Sequence, residues 1–198
     1  MFWLSIIGCM QATSNGDTSS LTPSCDALMA GADAPQTNED IVSLINDTRQ
    51  LVPELDGVSI TVQNIESDST FLAAQIELST ISNEPFEREY IVQINPQIYT
   101  GQISGDSTVA ILVHEFKHIV DYTEMDTNAL VKFGLWYASG DVSEYERATD
   151  EFALERGCGL GLISFREWLY GMVSEEIRAE KERDYYTPDE IRAWMAAN

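Results

Sequence analysis

The only two histidines of the chain, His114 and His118, lie four residues apart. On a helix this spacing puts both imidazoles on one face, one turn apart, so that both can bind a single metal ion. Glu115 follows the first histidine, where a carboxylate can take a proton from a metal-bound water and pass it on. The sequence therefore predicts a metal site with Glu115 as its catalytic base.

A catalytic zinc site needs a third protein ligand and one position left open for water. No third histidine exists, so we expect a carboxylate in preference to a thiolate, and Glu146 is the first candidate. Glu146 and Asp150 are four residues apart on a second expected helix. Glu146 can then bind one Zn²⁺ per chain, while Asp150 accepts a hydrogen bond from a ligand histidine and orients its ring. The alternative is that both acids lie on a solvated helix face, since the chain has 33 Asp and Glu.

Other acids compete with Glu146 for the role of third ligand. Glu124 lies six residues after His118, where short-spaced zinc sites place it. Such sites turn the chain sharply three residues after the second histidine, and here that position is Asp121, which adopts positive φ reluctantly. Glu124 therefore ranks second. Glu151 and Glu155 rank lower as third ligands.

The remaining pattern predicts an α+β fold, because strands come before most of the helices. Residues 58–62 and 74–78 alternate, and residues 90–94 form a β-branched apolar run, so we expect a small antiparallel sheet. The helical half that follows carries the active-site helix, with Asp106 or Ser107 as its N-cap. Helices are expected over residues 39–51, 105–122, 142–156 (closed by Gly157), 163–170, 175–183 and 188–197.

Two features could contact a substrate. Residues 90–94 could be an edge strand that pairs with an extended peptide, although a plain core strand is the favoured interpretation. Such sites commonly add a second electrophile, and with both histidines assigned this must be a tyrosine. The sequence leaves four candidates open: Tyr137, Tyr170, Tyr185 and Tyr186.

Residues 1–24 are expected to be a short lipoprotein-type signal followed by a flexible tether. Residues 5–9 look like a bacterial lipobox, in which Cys9 would carry the lipid, and residues 11–24 are rich in Ser, Thr, Asn and Gly. The lack of Lys or Arg before the apolar stretch counts against a signal. If Cys9 is lipidated, Cys25 and Cys158 are left either to pair outside the reducing cytosol or to stay unrelated thiols. The expected location is the cell envelope, lipid-anchored, or else secreted or periplasmic.

The net charge of the chain limits the classes of molecule that it can bind. Eleven Lys and Arg face 33 Asp and Glu, giving a net charge of −22. Such a chain repels phosphate backbones and anionic lipid headgroups, which argues against a nucleic-acid partner. Membrane association is then expected only through a lipid on Cys9, and the oligomeric state is left open.

Two blocks of the sequence resemble a known group of enzymes. Residues 114–118 have the His-Glu-x-x-His pattern of zinc peptidases, and with Glu146 they resemble the gluzincin metallopeptidases. Residues 146–153 are similar to the Glu-x-x-Ala-Asp block of the Ste24/HtpX-like peptidases, with Thr149 where that family has Ala. The resemblance covers residues 106–156, and those enzymes carry transmembrane helices for which this chain has no apolar run of sufficient length.

Residues 25–198 are expected to form one folded unit, a single catalytic domain, and the resemblance implies that it is zincin-like around the site. The resemblance also implies one Zn²⁺ with a glutamate as third ligand, a glutamate base, and hydrolysis of a peptide or protein substrate. The alternative is a catalytically inactive zinc-binding protein, or a metal-free envelope lipoprotein, acting as a binding module.

Overall fold

The computed structural model describes residues 24–198. Apart from Ser24, the signal and tether assigned to residues 1–24, including Cys9, lie outside the described residues. In chain order the elements are α1 (Cys25–Met29), α2 (Asn38–Thr48), β1 (Ser59–Asn64), β2 (Leu72–Ile76), β3 (Glu89–Ile94), α3 (Gln97–Thr100), α4 (Gly105–Thr123), α5 (Thr127–Ser139), α6 (Ser143–Glu155), α7 (Gly159–Met172), α8 (Glu175–Asp184) and α9 (Pro188–Ala197), with short 3₁₀ turns after α2 and between β2 and β3. The predicted α+β class is confirmed.

The sheet has three strands in the order β1-β3-β2 and is mixed. β2 pairs antiparallel with β3, whereas β1 pairs parallel with β3 in the register Ser59 with Glu89 through Asn64 with Ile94. The prediction of an antiparallel sheet is therefore wrong for this second pair. The physical reason is that alternation along a strand reports which face is buried and says nothing about the direction of its neighbour.

β3 is the central strand, with Tyr90, Val92 and Ile94 fully buried. The prediction that residues 90–94 could form an edge strand is wrong, and the core-strand interpretation is confirmed. The open edges belong to β1 and β2 instead, and β2 is the edge that packs against α4.

α4 is the central helix, and most of its residues are buried, including both histidines. It begins at Gly105, as predicted, but the N-cap prediction of Asp106 or Ser107 is wrong by two or three residues. Ser104 is the N-cap, and its hydroxyl accepts a hydrogen bond from the Ser107 amide at 3.4 Å. β2, α6 and α7 surround α4, so that the site helix is held by the core rather than by its own propensity.

α7 lies very close to α4 because Gly161 has no side chain. A Cβ at Gly161 would come within 2.6 Å of the Ala110 Cβ, closer than two such atoms approach. α7 is also longer than the predicted residues 163–170. Its close approach brings the Arg166 side chain, which is 2% exposed, beneath the site.

The helices around the site mostly match expectation. α6 corresponds to predicted residues 142–156 and is followed by Gly157 at φ 81°, as the closing glycine requires. α5 was not predicted. Its N-cap is Asp126, whose carboxylate accepts a hydrogen bond from the Ala129 amide at 2.8 Å. Only Leu130 of its residues is buried, and Val131, Leu135 and Trp136 are exposed, so its apolar residues do not form one buried stripe.

Cys25 and Cys158 form a disulfide that ties α1 to the start of α7. Of the two alternatives left open by the sequence, pairing is the one the structure has. The buried apolar side chains form one cluster that extends from Cys25 to Ile191. Within residues 24–198, no helix has both the length and the apolar character needed to cross a bilayer.

Candidate metal centre

The three predicted metal ligands come together at one point. His114 and His118 on α4 face Glu146 on α6, and one ligand atom from each lies within 4.8 Å of the others. The Glu146 Oε2 atom is 3.2 Å from His114 Nε2 and 3.6 Å from His118 Nε2. All three side chains are buried. This buried group could hold a metal ion.

The chemistry of the donor set fits a metal ion. Glu146 Oε2 is buried and has no hydrogen-bond partner among the described residues, although two imidazole nitrogens face it. An unsatisfied buried carboxylate oxygen is costly, and a cation between it and the imidazoles would satisfy it. Two imidazole nitrogens and one carboxylate oxygen are the ligands of catalytic zinc sites with an open fourth position.

The outer nitrogen of His114 is held by a buried ion pair. His114 Nδ1 lies 2.9 Å from Asp150 Oδ1, and because a carboxylate only accepts, Nδ1 carries the proton and Nε2 faces Glu146. Arg166 donates to both Asp150 oxygens at 2.9 and 3.1 Å, and the Tyr186 amide donates to Oδ2 at 3.0 Å. Asp150 thus lies where the sequence predicts it, behind a ligand histidine.

The outer nitrogen of His118 is held differently, by residues that the sequence did not indicate. His118 Nδ1 lies 2.9 Å from the Tyr145 hydroxyl, which donates to Asp121 Oδ2 at 3.1 Å. Asp121 also pairs with Lys117, one turn earlier on α4. Tyr145 precedes Glu146 directly, so its position beside a predicted ligand was the one available signal.

Glu115 is placed against the edge of the sheet. Its Oε2 atom accepts a hydrogen bond from the Ala74 amide of β2 at 2.8 Å. That amide points away from β3, because β2 is an edge strand. Only 6% of Glu115 is exposed, and what is exposed lines a cleft of about 470 Å³.

This cleft opens beside His114, Glu115 and His118, between β2 and the side chains of α7 and α8. Two of the four candidate tyrosines line it, Tyr137 and Tyr185. Tyr170 and Tyr186 lie outside it, and the Tyr186 hydroxyl donates to Glu151 at 2.6 Å. Tyr122, which the sequence did not single out, also lines the cleft and stacks on His118, with ring centroids 6.4 Å apart.

Both candidate tyrosines that line the cleft, Tyr137 and Tyr185, are held in the neutral, proton-donating form. Burial and the negative charge of Glu146 raise the pKa of Tyr185 well above its usual range. The pKa of Tyr137 is raised too, by burial first and then by Tyr185 and Glu146. The Tyr137 hydroxyl donates to Glu146 Oε1 at 2.5 Å, so α5 contacts the centre through this side chain.

The rival ligands lie elsewhere. Glu124 is exposed at the C-cap of α4, and Glu155 is exposed near the end of α6. Glu151 is engaged by Tyr186. The described residues therefore bring Glu146, and none of its rivals, to the two histidines.

The electrostatics of the cluster favour a cation. Burial lowers the pKa of His114, but the hydrogen bond to Asp150 and the nearby carboxylate of Glu146 outweigh it and raise the pKa to about 10. Burial raises the pKa of Glu146, but His114 and His118 outweigh it and hold that pKa well below the usual range. The cluster thus attracts protons as well as metal ions, so that metal affinity should fall as pH falls.

Comparison of the chain with protein-family models, with curated proteins and with solved structures finds no match. What the protein does must therefore be inferred from the side chains that meet in the cleft.

Proposed function

We propose that the chain is a zinc-dependent metallopeptidase of the gluzincin type, with a zincin-like catalytic domain over residues 25–198. The observation that carries the proposal is the position of Glu115. It lies in the same cleft as the His114, His118 and Glu146 donor set, and its carboxylate is fixed by the Ala74 amide. A structural zinc site prefers four closed ligands, often thiolates, and has no use for a carboxylate base beside it.

The residues of the cleft have separate roles in the proposed hydrolysis. One zinc ion held by His114, His118 and Glu146 would act as a Lewis acid and make a water acidic near neutral pH. Glu115 takes a proton from the attacking water and passes it to the leaving amine. The bond from Ala74 holds Glu115 Oε2, which leaves the other oxygen for the water.

A cleft tyrosine donates a hydrogen bond to the oxyanion that develops on the peptide carbonyl. Tyr185 suits this role better than Tyr137. The Tyr137 hydroxyl is bonded to Glu146, whereas that of Tyr185 makes no hydrogen bond within residues 24–198. The Tyr185 ring lies 5.8 Å from the His114 ring, centroid to centroid, which places its side chain beside the reacting atoms.

The proposed substrate is a peptide or protein, and the proposed location is the cell envelope, through a lipid on Cys9, or outside the cell. The disulfide between Cys25 and Cys158 supports a compartment outside the reducing cytosol. The net charge of −22 supports the exclusion of nucleic acids.

The test is zinc content and peptide hydrolysis in the same set of purified proteins. Wild type should hold about one zinc per chain and cleave a quenched peptide library. Glu146→Ala should lose the zinc. Glu115→Gln should keep the zinc and lose hydrolysis by about 10²–10⁴-fold, the usual contribution of an acid–base group.

Glu124→Gln is the matched control, since it removes the same charge near the end of α4 and should change neither quantity. Hydrolysis by Glu115→Gln at the wild-type rate would overturn the assignment of the base. Zinc without any hydrolysis would favour the non-catalytic zinc-binding module. No zinc after reconstitution would leave only the metal-free module.

A further inference from the structure

Lysine and arginine side chains are scarce in this chain, and nearly all of them are engaged. Carboxylates pair with seven of the eleven, namely Lys117, Arg147, Arg156, Arg166, Arg178, Arg183 and Arg192. Arg49 and Arg88 donate to backbone carbonyls. Within residues 24–198 this leaves two lysines without a hydrogen-bonded or ion-paired acceptor: Lys132, exposed on α5, and Lys181.

Lys181 differs from Lys132 because it lines the cleft. It lies on α8, is partly buried, and places its ammonium 5.3 Å from the centroid of the Tyr185 ring. The same ring lies 5.8 Å from that of His114. A single aromatic side chain therefore separates the Lys181 ammonium from a metal ligand.

The surroundings of Lys181 disfavour an ammonium that has no anion beside it. Burial first, and then the charge of Arg166, lower its pKa from the usual value. A chain with 33 acids could readily supply a carboxylate partner, yet none lies within 4.0 Å among the described residues. A desolvated charge with no partner is costly, and the cost is recovered when an anionic ligand binds.

We propose that Lys181 recognises a carboxylate of the substrate, so that the preferred substrates are peptides with an acidic group near the cleaved bond. This inference rests on the proposed peptidase function. The acidic group is either the C-terminal carboxylate or an Asp or Glu side chain, because an ammonium is a compact point charge that accepts either. Because a net charge of −22 repels acidic peptides, binding of such a peptide depends on a local cation in the cleft.

The test compares four peptides of one sequence, with a Glu or a Gln beside the cleaved bond and a free or an amidated C-terminus. For wild type, kcat/KM should be about tenfold higher for the preferred acidic form than for its neutral partner, which corresponds to about 1.4 kcal/mol. The Glu/Gln pair and the acid/amide pair separate the two sources of the carboxylate.

Three variants test whether Lys181 causes the preference. Lys181→Met keeps most of the aliphatic stem and removes the charge, so the tenfold ratio should fall to about one. Lys181→Arg should restore a preference. Lys132→Met makes the same change of charge outside the cleft and should keep the wild-type ratio. A preference that shrinks at high salt would fit an exposed charge contact.

A second readout does not depend on turnover. The dissociation constants of the same peptides are measured by calorimetry with zinc-loaded Glu115→Gln, with and without Lys181→Met. A preference for the acidic form that Lys181→Met abolishes supports the proposal, even if wild type cleaves nothing and the peptidase function fails.

Two results overturn the inference while leaving the peptidase standing. One is hydrolysis with equal kcat/KM for acidic and neutral peptides. The other is an acidic preference that survives Lys181→Met, which would leave Lys181 only its packing on Tyr185. If no peptide is bound or cleaved by any of these proteins, both the inference and the proposed function are overturned.

Discussion

The outer ring nitrogens of the two ligand histidines, His114 and His118, are held by two different kinds of partner. Behind His114 lies an ion pair of Asp150 and Arg166, both at most 2% exposed. Behind His118 lies the neutral hydroxyl of Tyr145. The charged residues on this side, Asp121 and Lys117, lie beyond Tyr145, and their side chains are 13% and 26% exposed.

The two kinds of partner differ because the residues behind His114 are buried more deeply than those behind His118. In the buried interior an unpaired Asp150 carboxylate would be costly. Arg166 of α7 therefore supplies the positive charge that stabilises it. Nearer the surface, water screens charge, and a neutral hydroxyl is enough to fix the tautomer of His118. We therefore expect the His114 side to determine stability as well as metal binding, and the His118 side to affect metal binding more than stability.

The largest effect is expected for Asp150→Ala. Arg166 stays behind as an uncompensated buried charge, so the free energy of unfolding of the metal-free protein should fall by about 3–5 kcal/mol. Zinc affinity should fall as well, by about 10–100-fold, because His114 loses its orienting acceptor. Urea unfolding and competitive zinc titration measure the two quantities.

Glu54→Ala is the control for Asp150→Ala. Glu54 also pairs with an arginine, Arg156, at 2.9 Å, but both side chains are partly exposed. That loss should be at most about 1 kcal/mol, with zinc affinity unchanged. Equal losses for the two variants would mean that depth is not what separates the two sides of the centre.

The sequence predicted some residues on the two sides of the centre and not others. Four-residue spacing on a helix made two pairs predictable, His114 with His118 and Glu146 with Asp150, and the need of a zinc site for a third ligand brought the pairs together. Arg166 and Tyr145 were not singled out, since their contacts cross from α7 to α6 and from α6 to α4. Helix periodicity does not tell which helix will lie alongside another.

The same limit applies to the fold. Strand positions followed from alternation and β-branched residues, but the parallel pairing of β1 with β3 did not, because a one-strand pattern contains no information on direction. α5 was missed because its apolar residues are spread around the helix instead of marking one face, and it contacts the centre through Tyr137 on Glu146. Helices with a clear apolar stripe, such as α4, were predicted closely.

A smaller effect is expected for Tyr145→Phe, which removes only a hydroxyl. The ring stays in its aromatic neighbourhood with Phe133 and Trp136, so stability should fall by no more than about 1–2 kcal/mol. His118 Nδ1 loses its acceptor, so zinc affinity should fall by about tenfold, at the low end of the range for such partners.

Tyr186→Phe is the matched control for Tyr145→Phe, because it removes a hydroxyl that donates to a carboxylate away from the metal ligands. It should leave zinc affinity at the wild-type value. Equal zinc affinities for the two variants would show that the Tyr145 hydroxyl does not position His118.

The smallest effect is expected for Lys117→Gln, and it tests the outermost step of the His118 side. Asp121 keeps the hydrogen bond from Tyr145, and as a partly exposed carboxylate it remains hydrated without its lysine. A helical pair four residues apart contributes little, so the free energy of unfolding should change by less than about 0.5 kcal/mol. Lys132→Gln, the same change at an exposed and unpaired lysine, gives the baseline in urea unfolding. A loss above about 2 kcal/mol for Lys117→Gln alone would mean that charge compensation matters as much behind His118 as behind His114, and the contrast drawn from their burial would be wrong.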